Sequence, residues 1–292
     1  MDLASALAKG PLLTDGGWGT ELQARGLGFD ECPDSWNLVH PDRVESVAQA
    51  YVDAGSQVIL TNTFRANRIS LAGFGLAGQV GEINRRGAAI SKKAAGANVL
   101  VFASIGPSGK MLISEEVTPE ELRIAFTEQA AALAEGGADA LVVETVGDIE
   151  EARIALHAGL TTGLPVVVSF VFDSGKNRDR TMMGVTPEQA AKAMEAEGAF
   201  AVGGNCGNGI EAYVPVCARL RAATKLPVWI KANAGLPQIV DGKAVYETSA
   251  EQFASHIAPL VEAGANFVGG CCGTNPAFLR AAAERLRRCA TS

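Results

Sequence analysis

The chain has 292 residues, of which 48% are hydrophobic and 20% charged, so it can bury a large core. Its formal net charge is −7 and it shows no basic patch, which argues against a nucleic-acid partner. The longest apolar runs are too short to cross a bilayer and the first residues do not resemble a signal peptide, so we expect a cytoplasmic protein without membrane contact.

Eight short apolar or β-branched runs alternate with helical segments along the chain. Several helical segments end at a glycine, which supplies the left-handed cap that stops a helix. Continuous apolar runs of this length are typical of strands that are buried on both faces of a parallel sheet. We predict strands at residues 12–15, 57–61, 99–104, 140–144, 165–171, 200–205, 227–232 and 266–270.

The alternation predicts a single (β/α)8 barrel that covers residues 1–292. Eight units in this length average about 36 residues each, which suits such a barrel. Helix starts are marked by a capping residue followed three positions later by Glu or Gln: Thr118 with Glu121, Thr186 with Gln189, and Ser249 with Gln252. The rival architecture, an open doubly wound sheet, normally has a GxGxxG turn after its first strand, and the glycine-rich segment 15–20 lacks that spacing.

Polar residues gather at the predicted carboxyl ends of the strands, where barrel enzymes carry their active sites. The fifth strand ends less clearly than the others, near Asp173. The other ends carry Asp15, the segment 61–63, Ser104, Glu144, Asn205 with Cys206, Asn233, and Cys271 with Cys272. We expect these side chains to meet at one rim of the barrel.

Cys206, Cys271 and Cys272 form a candidate zinc site. Neighbouring side chains of a strand point to opposite faces, so Cys271 and Cys272 can share a metal ion only if the strand ends or bends there, and the glycines around them permit that. Three protein ligands with one open position are typical of catalytic zinc. Two alternatives stay open: buried cysteines that are adjacent by chance, and a redox-active pair.

The other cysteines and the histidines are not expected to join this site. Cys32 lies in a loop, Cys217 in a helix and Cys289 near the chain end, so we interpret them as structural or incidental. His40 precedes a proline at a helix start, and His157 and His256 fall within predicted helices. A site made only of sulfur is a poor generator of hydroxide and favours activation of a substrate thiol.

Asp15 and Glu144 could hold the polar end of an α-amino acid. Their carboxylates would take the ammonium group, and the backbone N–H groups of Gly16 and Gly17 would take the carboxylate. The alternative is that each carboxylate caps a helix or pairs with a loop arginine.

The chain resembles the homocysteine S-methyltransferase family, which includes the homocysteine-binding module of cobalamin-dependent methionine synthase and betaine–homocysteine methyltransferase. The resemblance rests on motifs that occur in order: DGGWGTEL at 15–22, TNTF at 61–64, IGPSG at 105–109, ET at 144–145, GGNC at 203–206, NAGLP at 233–237 and GGCCGT at 269–274. It implies zinc held by Cys206, Cys271 and Cys272, homocysteine sulfur at the open position, and Asp15 and Glu144 at the amino-acid end. It also places Asn233 beside the zinc, as a neighbour or as a weak ligand when substrate is absent.

The resemblance predicts a zinc-dependent methyltransferase that converts homocysteine to methionine, but it leaves the methyl donor unknown. No folate barrel or cobalamin domain is found in the chain, so we expect a small-molecule donor or separate corrinoid or folate proteins. Gly17 and Trp18 replace the small-residue–Met pair of the family, and Trp18 either faces a methylated cation or packs in the core. Three other hypotheses stay open: another thiol acceptor or a corrinoid donor, a binding module that works only with a corrinoid partner, and a phosphate-binding barrel.

Overall fold

The computed structural model describes residues 3–240 and 243–289, and these form the predicted (β/α)8 barrel. Its eight strands are parallel and follow one another around the barrel in the order β1-β8-β7-β6-β5-β4-β3-β2. Their bounds are Leu12–Leu13 (β1), Val58–Ile59 (β2), Leu100–Ile105 (β3), Ala140–Val146 (β4), Val166–Phe170 (β5), Ala201–Gly209 (β6), Val228–Asn233 (β7) and Phe267–Gly270 (β8). The Gln57 N–H donates to the Leu13 carbonyl at 2.8 Å, which joins the first strand to the second and nearly closes the barrel.

Helices connect the strands and surround the sheet. They are Leu3–Leu7 (α1), Trp18–Ala24 (α2), Trp36–Val39 (α3), Pro41–Asp53 (α4), Arg68–Ala72 (α5), Val80–Ala95 (α6), Pro119–Glu135 (α7), Ile149–Leu160 (α8), Pro187–Ala196 (α9), Ile210–Ala223 (α10), Ala250–Ser255 (α11), Ile257–Glu262 (α12) and Pro276–Cys289 (α13). The capping boxes predicted at Thr118, Thr186 and Ser249 are all present. A small antiparallel hairpin, Gln238–Val240 with Lys243–Val245, follows β7. None of the helices in the described part of the chain is long and apolar enough to cross a membrane.

Strand boundaries differ from the prediction where side chains replace or redirect backbone hydrogen bonds. The first two strands are shorter than expected, because the Leu60 N–H donates to the Asp15 carboxylate and the Leu13 N–H donates to the Gln57 side chain. The fourth and sixth strands run further, but their register shifts between Val143 and Val146 and between Asn205 and Gly209. These irregular ends lie at the rim that was predicted to carry the site.

An apolar plug fills the barrel beneath that rim. The Trp229 ring lies parallel to the Phe102 ring with centroids 5.8 Å apart, and it contacts Phe267 at a centroid distance of 5.1 Å. All three side chains are fully buried. Because inward-facing residues alternate along a strand, the next inward position on each strand lies one layer closer to the rim.

Candidate metal and substrate site

A polar layer lies directly above the apolar plug. Ser104 follows Phe102 at the next inward position of β3, Glu144 follows Val142 on β4, and Lys231 follows Trp229 on β7. This layer opens into a cavity of about 300 Å³, which is lined by Gly16, Gly17, Trp18, Thr20, Glu144, Lys231 and the three candidate cysteines, among others. The cavity therefore has the polar layer at its base, with the apolar plug beneath that layer, and thiols on one side.

The three cysteines predicted as metal ligands converge in the structure. The sulfurs of Cys206, Cys271 and Cys272 all lie within 4.8 Å of one another, and the Cys206 and Cys272 sulfurs are 3.9 Å apart. A disulfide requires about 2.05 Å between sulfurs, so these thiols are not bonded to each other. Within the described residues they are also the only grouping of His, Cys, Asp or Glu close enough to share a metal ion.

Cys271 and Cys272 reach the same site because β8 ends immediately before them. The chain then turns, with the Thr274 N–H donating to the Cys271 carbonyl at 3.1 Å. Gly273 has a φ of 80°, and a side chain there would collide with the Tyr246 ring. Only glycine meets both conditions, so the turn that brings the two sulfurs together depends on Gly273.

Cys206 is held in a left-handed backbone conformation with a φ of 60°, and Thr145 on the neighbouring part of the rim has a φ of 61°. Such conformations cost on the order of 1–3 kcal/mol each and persist only where the surroundings enforce them. Asn205 supplies part of that constraint, because its amide donates to Thr145 Oγ1 at 2.7 Å and accepts from the Thr145 N–H at 2.9 Å. Tyr213 donates to the Cys206 carbonyl at 2.9 Å.

Hydrogen bonding within the cysteine cluster favours a single thiolate. The pKa of Cys206 is lowered because the Cys271 and Cys272 thiols hydrogen-bond to its sulfur. Those bonds, together with burial, raise the pKa of Cys271 and of Cys272. The cluster therefore carries one negative charge readily and resists further charge.

Glu144 lies in the wall of the cavity and is nearly fully buried. Burial raises its pKa to about 7, although the Lys231 ammonium and the hydrogen bond from Ser104 act in the opposite direction. The Ser104 hydroxyl donates to Glu144 Oε1 at 2.5 Å, and the Asn205 amide lies 3.5 Å from Oε2. The polar network thus links Glu144 to the irregular end of β6, which presents Cys206.

Asp15 is completely buried and is engaged through both carboxylate oxygens. Oδ1 pairs with the Lys231 ammonium, and Oδ2 accepts from the Trp18 indole N–H and from the Leu60 N–H, both at 2.7 Å. Trp18 therefore hydrogen-bonds to Asp15 and also lines the cavity, a role beyond the packing or cation–π contact considered from the sequence. The sequence prediction did not include Lys231, because a single lysine in an otherwise apolar strand indicates a site residue only when the inward face of the strand is known.

The glycines after Asp15 are fixed by the loop that follows β8. The Gly17 N–H donates to the carbonyl and hydroxyl oxygens of Thr274, each at 3.2 Å. A side chain on Gly16 would come within 2.8 Å of Thr274 Oγ1 and Tyr51 Oη, so only glycine fits. Of the two N–H groups expected to bind a carboxylate, that of Gly17 already has protein acceptors.

Asn233 ends β7 beside the cysteines. Its side chain helps to lower the pKa of Cys206, while its buried Oδ1 has no hydrogen-bond partner among the described residues. Buried polar atoms are nearly always paired, so an orphaned oxygen next to three thiols indicates a missing partner.

The remaining cysteines and the histidines lie away from the cluster. Cys32 and Cys217 are buried, and burial is the largest cause that raises the pKa of each thiol. His157 pairs with Glu197 at 2.9 Å on the surface. His40 precedes α4, as expected, but His256 lies in a turn between α11 and α12 and not within a helix.

The geometry thus describes a (β/α)8 barrel with a thiol cluster at the rim where its strands end. The sequence profile of the homocysteine S-methyltransferase family matches residues 12–286, and the chain belongs to that family.

Two methionine synthases are similar to the chain. Those of Mycobacterium leprae and Mycobacterium tuberculosis are each 29% identical to it, over 99% and 98% of its length. The chain spans only 25% of either methionine synthase. Among solved structures, the metallated form of the homocysteine methyltransferase MmuM from Escherichia coli superposes with a TM-score of 0.81 at 25% identity, covering 97% of this chain and 99% of that one.

Proposed function

We propose that the chain is a zinc-dependent methyltransferase that methylates the thiol of homocysteine to form methionine, with residues 1–292 acting as one homocysteine-binding unit. The observation that carries the proposal is the convergence of Cys206, Cys271 and Cys272 at the rim of the cavity. Membership of the homocysteine S-methyltransferase family supports the choice of acceptor.

The cysteine cluster suits zinc in both distance and donor type. Two sulfurs bound to one tetrahedral zinc at about 2.3 Å lie about 3.8 Å apart, and the Cys206–Cys272 distance is 3.9 Å. The unpaired Oδ1 of Asn233 supplies an additional donor for the state without substrate. When bound, the zinc would keep the acceptor sulfur deprotonated and nucleophilic at neutral pH.

The protein's own residues orient the acceptor and keep water from the reacting sulfur. Glu144 lines the cavity at the polar end of the substrate, and Asp15 supports that end from behind the cavity wall. The Gly16 and Gly17 loop borders the space for the substrate carboxylate. The apolar plug of Phe102, Trp229 and Phe267 closes the barrel beneath the polar layer. Holding the acceptor in one orientation lowers the entropic barrier to attack on the methyl donor.

The metal is tested by elemental analysis of protein purified under reducing conditions. We expect about one zinc per chain, and we expect Cys206→Ser to lose most of it, because two thiols alone bind zinc weakly. Cys289→Ser, at the end of α13, is the matched control and should retain the metal. Metal-free protein, or a Cys206→Ser variant with normal zinc and activity, contradicts the proposal.

The donor is found by measuring methionine formation from homocysteine with S-methylmethionine, betaine, methyltetrahydrofolate and methylcobalamin, each with and without a corrinoid protein. Turnover with a small donor alone would show that the isolated chain is a complete enzyme. Turnover that requires the corrinoid protein would favour the second candidate function, in which the chain is the acceptor subunit of a larger methyltransferase system.

One observation favours that second candidate. Several large apolar side chains are exposed in the segments between a strand and the next strand's helices: Ile113 (72% exposed) follows β3, Met182 (65%) follows β5, and Phe29 (74%) follows α2. Loops that follow barrel strands lie on the face where the strands end, and a protein carrying the methyl group would have to dock on that face.

A further inference from the structure

The cavity wall presents a lysine where the sequence predicted a carboxylate. Lys231 lines the cavity, whereas Asp15 lies behind it and is absent from the lining. The exposed fractions of the two side chains are 2% and 0%, so their ion pair is shielded from water. The pair is therefore a permanent part of the site and not a surface contact.

The hydrogen-bond count around Asp15 leaves little capacity for a substrate. One oxygen already accepts two N–H donors, from Trp18 and Leu60, and the other already faces the Lys231 ammonium. A buried carboxylate is costly without a counter-charge, and here the counter-charge comes from within the chain. An incoming ammonium group is therefore not needed to neutralise Asp15.

The Lys231 ammonium also acts on Glu144, the carboxylate in the cavity wall. Its positive charge acts to lower the pKa of Glu144, and both side chains line the cavity. A cation in the wall attracts an anionic group of the ligand, and a lysine ammonium has three N–H donors, which a single carboxylate partner does not exhaust. The wall thus suits a ligand with a carboxylate at least as well as one with an α-ammonium group.

We propose that Lys231 occupies the position of the substrate ammonium group at Asp15, so that the site accepts thiol carboxylic acids with or without an α-amino group. This inference rests on the proposed function, because it assumes that the acceptor sulfur binds at the cysteine cluster. Lys231 is a specificity-determining residue in this account, and the attack by sulfur is the same for both kinds of acceptor.

The test compares homocysteine with 4-sulfanylbutanoate, which has the same chain without the amino group, by calorimetric titration of the zinc-loaded protein. We expect the two dissociation constants of the wild-type protein to agree within about tenfold, which corresponds to about 1.4 kcal/mol. A preference for homocysteine of more than tenfold overturns the inference. This comparison involves no variant, so it decides the question even if substitutions at Lys231 fail to fold.

The Lys231→Met variant supplies the second arm. Without its partner, Asp15 requires a cation from the ligand, so the preference for homocysteine should rise by at least tenfold. Lys192→Met, an exposed position on α9, is the control and should leave the ratio unchanged. General destabilisation of a variant affects the dissociation constants of both ligands alike, so their ratio does not depend on it. An unchanged ratio of the two dissociation constants in Lys231→Met therefore overturns the inference. If neither thiol binds the wild-type protein, the proposed function itself fails, and this inference fails with it.

Discussion

Glu144→Gln should change how the stability of the protein depends on pH. The carboxyl group has a pKa near 4.5 in the unfolded chain and about 7 in the folded protein, because burial disfavours the charged form. The folded state therefore binds the proton more tightly, and stability is lost as the pH rises from about 4.5 to about 7. At about 1.4 kcal/mol per pH unit, this interval corresponds to about 3 kcal/mol.

Glutamine has nearly the same shape as glutamic acid but does not titrate, so Glu144→Gln should remove this part of the pH dependence of the free energy of unfolding. Urea unfolding of both proteins between about pH 5 and pH 8 should show the Gln variant gaining about 2.5 kcal/mol relative to wild type. Both proteins contain the other titrating groups, such as the buried Asp34, whose pKa burial raises to about 6. Their contributions therefore cancel when the free energies of unfolding of the two proteins are subtracted. Parallel stability curves for the two proteins would refute the reasoning.

Three further substitutions test how the site is held together. Tyr213→Phe loses the hydrogen bond to the Cys206 carbonyl and should weaken zinc binding by about tenfold in a chelator competition; unchanged affinity would mean that the bond does not position Cys206. Trp18→Phe keeps a ring but loses the donor to Asp15, which should cost about 1.5–3 kcal/mol in urea unfolding, and a loss below about 0.5 kcal/mol would contradict the assigned bond. Gly273→Ala places a methyl group against Tyr246 at a positive φ, so it should lower both the melting temperature and the zinc content, and a variant with both unchanged would argue against the described turn.

The sequence was sufficient to predict the barrel because each strand is apolar on both faces. Runs such as 140–144 and 266–270 carry that signal without any knowledge of their partners. The same reasoning placed Cys206, Cys271 and Cys272 at one rim, since all parallel strands end on the same side. Their separation of a few ångströms depends on local conformations, such as the left-handed Cys206, that no residue type specifies.

Lys231 and Thr274 show what the sequence pattern could not resolve. A lysine in the middle of β7 becomes informative only when Trp229 and Asn233 are known to face the barrel interior, which fixes the direction of Lys231 as well. The bond from Gly17 to Thr274 joins residues at opposite ends of the chain and exists only because β8 lies beside β1. Both features depend on closure of the barrel, which composition and periodicity do not describe.

The ion pair between Asp15 and Lys231 also couples the fold to the charge of the site. It joins β7 to the segment that follows β1, across the intervening β8. Successive side chains of a strand alternate between faces, so a slip of one residue in β7 would turn Lys231 outward and leave Asp15 buried without a cation. Breaking a buried pair in this way costs about 3–5 kcal/mol, which disfavours the slipped register strongly. The charge arrangement that selects the substrate therefore also favours the register that brings Asn233 beside the cysteines.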